Sequence, residues 1–250
     1  MGNLSRNVVF ESENPDGVRG LVMLHNAMDG GSGVSNTVLN AEFKDLGRTD
    51  FTRSHDDDNP IGRYSLHLHL IGTDEDDPYA ILSGNAINGG KGWGIVQHES
   101  NANVVNNVVY DLISGGIVSE TGNENGYWAD NLVSTIRGHD NADRNEDGVA
   151  YENQSRVIVQ TNNVAANSKT GWNFSAKDPI ENARVEGIHH KLFERDQMRH
   201  DPSPFDVALS NKEPALDGFD GNTVIASGTG MRIFHRNESD DTDLMSVVTD

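Results

Sequence analysis

Between residues 62 and 72 the chain reads GRYSLHLHLIG, with leucine and histidine in alternation. Successive side chains of a strand point to opposite faces. Leu66, Leu68 and Leu70 therefore share one face, suited to a core, while His67 and His69 share the other. Elsewhere short apolar runs are punctuated by Gly and Asn, and no segment sustains a helical period. This pattern predicts strands near 65–70, 94–98, 116–120, 148–152 and 171–175.

The punctuation repeats. GNAIN around Asn85, NNVVYD around Asn107, DNLVS around Asn131, NNVAAN around Asn163 and GNTVIAS around Asn222 each set an Asn before a small or apolar pair. The first three intervals are 22, 24 and 32 residues; the last, 59, is two periods or one with a long insertion. A second series, GIVQH, GIVSE, GVAYE and GWNFS, runs in step with it. Two features recurring in register predict an all-β fold, a single-stranded right-handed parallel β-helix in which asparagines stack along the axis. A β-sandwich with Gly/Asn turns accounts less well for the matching registers. The reading is one domain over 1–250, probed by insertions near 54–60, 136–147 and 177–217, with ends that read as those of a fragment of a longer chain.

Aligning the strands on their leading glycines places His98, Glu120 and Glu152 each four residues after Gly94, Gly116 and Gly148. With His69 in the same position, the four form a column whose rungs lie about 4.8 Å apart, and His67 sits beside it. His67, His69, His98 and Glu120 are thus candidate ligands of a divalent transition metal such as Zn or Cu. They are equally candidates, with Glu152, for general acid and base catalysis. Arg63, Tyr64 and Trp93 are candidate substrate-binding residues around the column. The alternation that turns His98 outward turns Gln97 inward, which a bulge could undo.

Charge narrows the partners. With 39 acidic and 19 basic residues the net charge is −20, and the basic stripe that nucleic acid requires is missing. Cysteine is absent, so disulfides play no part. No apolar run reaches the roughly 18 residues of a membrane helix, and the N-terminus carries no signal-peptide core. Asp140, Asp143, Glu146 and Asp147 crowd one loop and are candidate calcium ligands, although their spacing is not that of an EF-hand. Oligomeric state is not legible.

GRYSLHLHLIG resembles the GRYP-(I/V/L)-HFH motif in the β-helical region of G8-domain proteins, the family of the cell-migration-inducing hyaluronidase and the fibrocystin-like proteins. AEFKDLGRTD (41–50), HESNANVVNNVVYDLISGGIVSETGNENG (98–126) and FDGNTVIASGTGMRIFH (219–235) are similar to further segments of bacterial-type members. Ser65, Leu68, Gly115 and Thr121 depart from the pattern. The resemblance implies an extracellular, glycan-active protein that cleaves a polysaccharide as a hydrolase or lyase. Two alternatives stand beside it. One is a non-catalytic glycan-binding module with Trp93, Trp128 and Trp172 along a groove; the other is a transition-metal-dependent oxidoreductase or metal-binding protein.

Overall fold

The computed structural model describes residues 8–25, 36–73, 77–122, 124–140, 148–155, 157–175, 218–233 and 248–249. Among them there is no helix, and twenty-one short strands wind into a right-handed parallel β-helix of three seven-stranded sheets. Every pairing is parallel, and each coil contributes one strand to each sheet in turn. The strands expected from the alternation are all present, as Leu66–Gly72, Trp93–Ser100, Gly115–Ser119, Val149–Asn153 and Thr170–Phe174. They are consecutive rungs of one sheet, preceded by Val22–His25 and followed by Thr229–Ile233. This sheet carries the site and is called the front sheet below.

The asparagine ladder is continuous. Asn85 donates its backbone N–H and side-chain amide to Asn107 Oδ1 (2.9 and 3.0 Å), and Asn107 does the same to Asn131 (2.9 and 3.1 Å). Asn131 donates likewise to Asn163 and Asn163 to Asn222, so the 59-residue interval is a single coil. Each side chain also donates to a carbonyl of the adjoining sheet, as Asn131 does to Val104 O (2.7 Å). The residue before each rung lies in the left-handed region, at Asn106 (φ 58°), Asp130 (56°) and Asn162 (54°), where Asn and Asp are tolerated. The chain thus turns a corner at each coil while the ladder amides keep their partners.

Inside, Leu66, Leu68, Leu82, Ile87, Ile95, Ile117, Val133, Trp128, Tyr151 and Trp172 are buried in one stack. Gln97 is also inside. Its Oε1 accepts the Trp128 indole N–H (2.5 Å) and its amide donates to Ser100 O (3.1 Å), so the core polar group is paired at both ends. Leu70 does not follow its two leucine neighbours. The register shifts after His69, Leu70 takes φ 55°, and Ile71 is the buried residue instead.

Residues 45–65 leave the solenoid and pack back over the outer face of the front sheet. Phe51 and Tyr64 cover Trp93, Val96 and Val118 in a second, smaller apolar cluster. The excursion is tied by buried Asn59, which accepts Asp50 N–H (2.8 Å) and donates to Asp50 O (2.8 Å) and Ser54 O (3.0 Å). The expected 54–60 insertion is therefore a folded cover. The 177–217 insertion and residues 141–147 lie outside the described residues.

Candidate functional site

Register decides which side chains meet. His69 is paired with His98, and the Glu120 amide donates to Gln97 O (2.9 Å), which sets Glu120 on the next rung beside His98. The expected column is therefore real from His69 to Glu120. It does not extend to Glu152, which is paired with Val118 and so stands in the neighbouring column, that of His67 and Val96. The two-residue slip comes from treating two glycines alike. Gly116 is paired one rung on with Ala150, whose carbonyl oxygen would lie 2.5 Å from any added Cβ. Gly148 is a turn residue at φ 70°, two positions earlier in its coil. Glu152 is fully buried, its carboxylate accepting Asn173 Nδ2–H (2.7 Å) and the Ser175 hydroxyl.

At the other end the column gains a residue. His25 is paired with His69, and the two rings stack 5.3 Å apart. The signal was available: VMLH over 22–25 has the same parity as LHLH over 66–69.

The centre of the site is Glu120. Its Oε2 lies 3.2 Å from His98 Nδ1 and 4.0 Å from His67 Nε2, and its Oε1 accepts the Tyr64 hydroxyl (3.5 Å). His67 is fully buried beneath the 45–65 excursion. Its Nδ1–H donates to Gly62 O (3.0 Å), which fixes the tautomer and leaves the Nε2 lone pair facing Glu120. No hydrogen bond reaches that Nε2. His98 Nε2 lies 3.4 Å from Glu99 Oε1, so both of its nitrogens face carboxylates. Glu99 gets there through backbone geometry: at φ 47° it breaks the alternation and swings beside His98.

The two imidazoles titrate in opposite directions. Burial pushes His67 down to about 4, against the pull of Glu120. Burial also opposes the charge on His98, but the hydrogen bond and charge of Glu120, with Glu124 and Glu99, outweigh it and raise the value. His69 is lowered by burial and by the neighbouring His98 and His25. At neutral pH the site thus offers one uncharged acceptor and one imidazole inclined to keep its proton.

His67, His98 and Glu120 present ligand atoms all within 4.8 Å of one another, so this cluster can hold a metal ion. His69, expected in the ligand set, is not in that group; it packs against His67 and His98 through its ring. Tyr64 is buried with its hydroxyl on Glu120, and Trp93 is buried against it rather than open to a groove. Arg63 is half-buried, and its carbonyl accepts Arg48 and Thr49 N–H. Trp128 and Trp172 are in the core, not along a groove. Of the calcium candidates, Asp140 is exposed, and Asp143, Glu146 and Asp147 lie outside the described residues.

A family model described as the CEMIP beta-helix matches residues 35–231, a span containing all of the front-sheet cluster except His25. The chain belongs to the CEMIP β-helix family. No curated protein and no solved structure matches it. The family match agrees with the resemblance of the GRYSLHLHLIG and NNVVYD segments, both of which lie within it. Among the described residues, no helix is long and apolar enough to cross a membrane.

Proposed function

We propose that this CEMIP β-helix protein is an extracellular, glycan-active enzyme that cleaves a polysaccharide over the front sheet, with Glu120 at the reacting bond. The observation that carries this reading is the placement of Glu120 between a neutral, buried His67 and a His98 held by a second carboxylate. Such a pair of imidazoles separates acceptor from donor at one pH, which proton transfer at a glycosidic bond needs. In hydrolysis the proton that His98 shares with Glu120 passes to the leaving oxygen, a second carboxylate activates water or attacks, and water is consumed. Glu152 is the candidate for that second role, although its carboxylate is already held by Asn173 and Ser175. In elimination the uncharged His67 removes the proton beside a uronate carboxyl, the C–O bond breaks as the His98 proton passes to the leaving oxygen, a C=C bond forms, and no water is used. A purely adhesive role draws less support, because all three tryptophans are buried.

The test is a panel of polysaccharides assayed for new reducing ends and for the ultraviolet absorbance of unsaturated products. Turnover by the wild type and its loss in Glu120→Gln support the reading; equal rates place the chemistry elsewhere. Loss in Glu152→Gln as well, with saturated products, marks a hydrolase. Unsaturated products mark a lyase.

The buried Nε2 of His67 favours a second property of the same cluster, binding of a divalent transition metal by His67 Nε2, His98 Nδ1 and Glu120. Both imidazoles already have outer acceptors, Gly62 O for His67 and Glu99 for His98, the arrangement that orients metal-ligating histidines. A bound zinc or copper ion would supply Lewis acidity there. Stoichiometric metal in purified protein that is lost in His67→Ala supports this; metal content unchanged by that substitution rejects it.

A further inference from the structure

Glu124 is a fully buried carboxylate that neither the acid–base reading nor the ligand set uses. Burying an ionisable group is costly unless its partners compensate. Its partners include three backbone amides of other residues: Oε1 accepts Thr121 N–H (2.6 Å) and Glu99 N–H (3.4 Å), and Oε2 accepts Gly122 N–H (2.8 Å). These amides belong to two chain segments, one carrying Glu99 and the other immediately following Glu120. Each segment is unusual at this point. Glu99 lies in the left-handed region, and Gly122 has φ 101°.

The preceding coil shows what an ordinary corner requires. Ser100 stands two residues before Ala102, as Glu124 stands two before Gly126, the rung partner of Ala102. The Ser100 hydroxyl accepts Ile71 N–H (3.2 Å) and donates to His98 O (2.8 Å). A small neutral side chain closes that corner. At the next corner a buried carboxyl group is used, its pKa pushed up by burial against its amide donors, and it reaches across two coils.

We propose that Glu124 is the positioning residue of the site, a buried clamp that fixes Glu99 and Glu120 on opposite nitrogens of His98. The consequence for turnover rests on the glycan-cleaving reading above. Without the clamp the Glu99 backbone loses the acceptor of its N–H at its left-handed position, and Glu120 loses the anchor of the segment that follows it.

Glu124→Gln keeps the size and one acceptor oxygen but turns an NH2 group toward a backbone N–H. On a cleaved glycan it is expected to lower kcat between about 10- and 100-fold, the range typical of outer supporting groups, with KM little changed. Glu124→Asp, which keeps the carboxyl group and shortens the reach, serves if the glutamine variant does not fold, with the same expectation. Gln160→Leu is the control for lost stability alone, since Gln160 is a core acceptor of Trp172 Nε1–H away from the site. Its kcat per folded molecule should equal that of the wild type. The ring resonance of His98 is followed in parallel and should move in the Glu124 variants but not in Gln160→Leu. An unchanged kcat together with an unmoved His98 resonance overturns the proposal. If the wild type cleaves no glycan, the cleavage reading falls by itself, and the His98 resonance alone decides the role of Glu124.

Discussion

His67 shows how much a single side chain can be changed by what covers it. The sequence places it on the outward face with His69, and outward it points, yet the 45–65 excursion encloses it completely. Its proton affinity falls to about 4 from an ordinary 6.5, first because of burial. The unfolded chain therefore binds a proton at this residue between those two values when the folded chain does not. The contribution is fully present above pH 6.5 and is lost as the pH falls toward 4, about 3 kcal/mol in all. His98 acts in the opposite sense, contributing stability at low pH that is lost as the pH rises through its raised value. Proton–carbon spectra of the histidine rings should show His67 neutral throughout the neutral range, with its midpoint near 4. Chemical denaturation should show weaker folding at pH 4.5 than at pH 7, and His67→Gln should reduce that difference. None of this burial was legible, because the covering residues Phe51 and Tyr64 act through contacts distant in sequence. The histidine row itself was legible from parity alone, and the same parity would have found His25.

At the scale of the strand and its corners, the Asn ladder was readable because it is periodic and needs one chemical feature at one phase. Asn131 accepts two N–H groups from Asn107 and donates to Val104 O and Asn163 Oδ1. Asn131→Ala leaves buried donors and an acceptor without partners, and should cost about 3 kcal/mol or more. Asn222→Ala, at a partly exposed rung where water can substitute, should cost less. Urea unfolding midpoints of the two variants check the order. A second left-handed column, four residues past each rung of the ladder, holds the β-branched Thr135 at φ 60°, at a place taken by Asp111 and Asn167 in neighbouring coils. Thr135→Asn should raise stability by about 0.5 kcal/mol, relieving a β-branched residue of a conformation it resists. Glycine was the less faithful marker. Gly116 is small because a neighbouring carbonyl comes close, and Gly148 because the chain must turn. One letter serves two physical needs, and the alignment that equated them misplaced Glu152. Gln97 raised the reverse difficulty: a polar residue on the core side is sound when a buried indole N–H needs an acceptor.

For the molecule as a whole, the chain carries an excess of twenty negative charges, and its described coils all run the same way. Self-repulsion on such a surface is screened by salt. The thermal midpoint should therefore rise as sodium chloride is added, and a falling midpoint would show that paired charges such as Arg137 with Asp111 (3.0 Å) matter more than the net excess. The ladder has an implication on this scale as well. Asn85 to Asn107 takes 22 residues and Asn163 to Asn222 takes 59, yet both pairs meet with the same bonds, 2.9 Å from backbone N–H to Oδ1. Contour length between rungs is free, while phase at the rung is fixed. The scaffold is in effect a spindle, and the 59-residue coil between Asn163 and Asn222 is where an insertion or deletion should be tolerated. The condition is that the chain returns to place an asparagine at the Asn222 position.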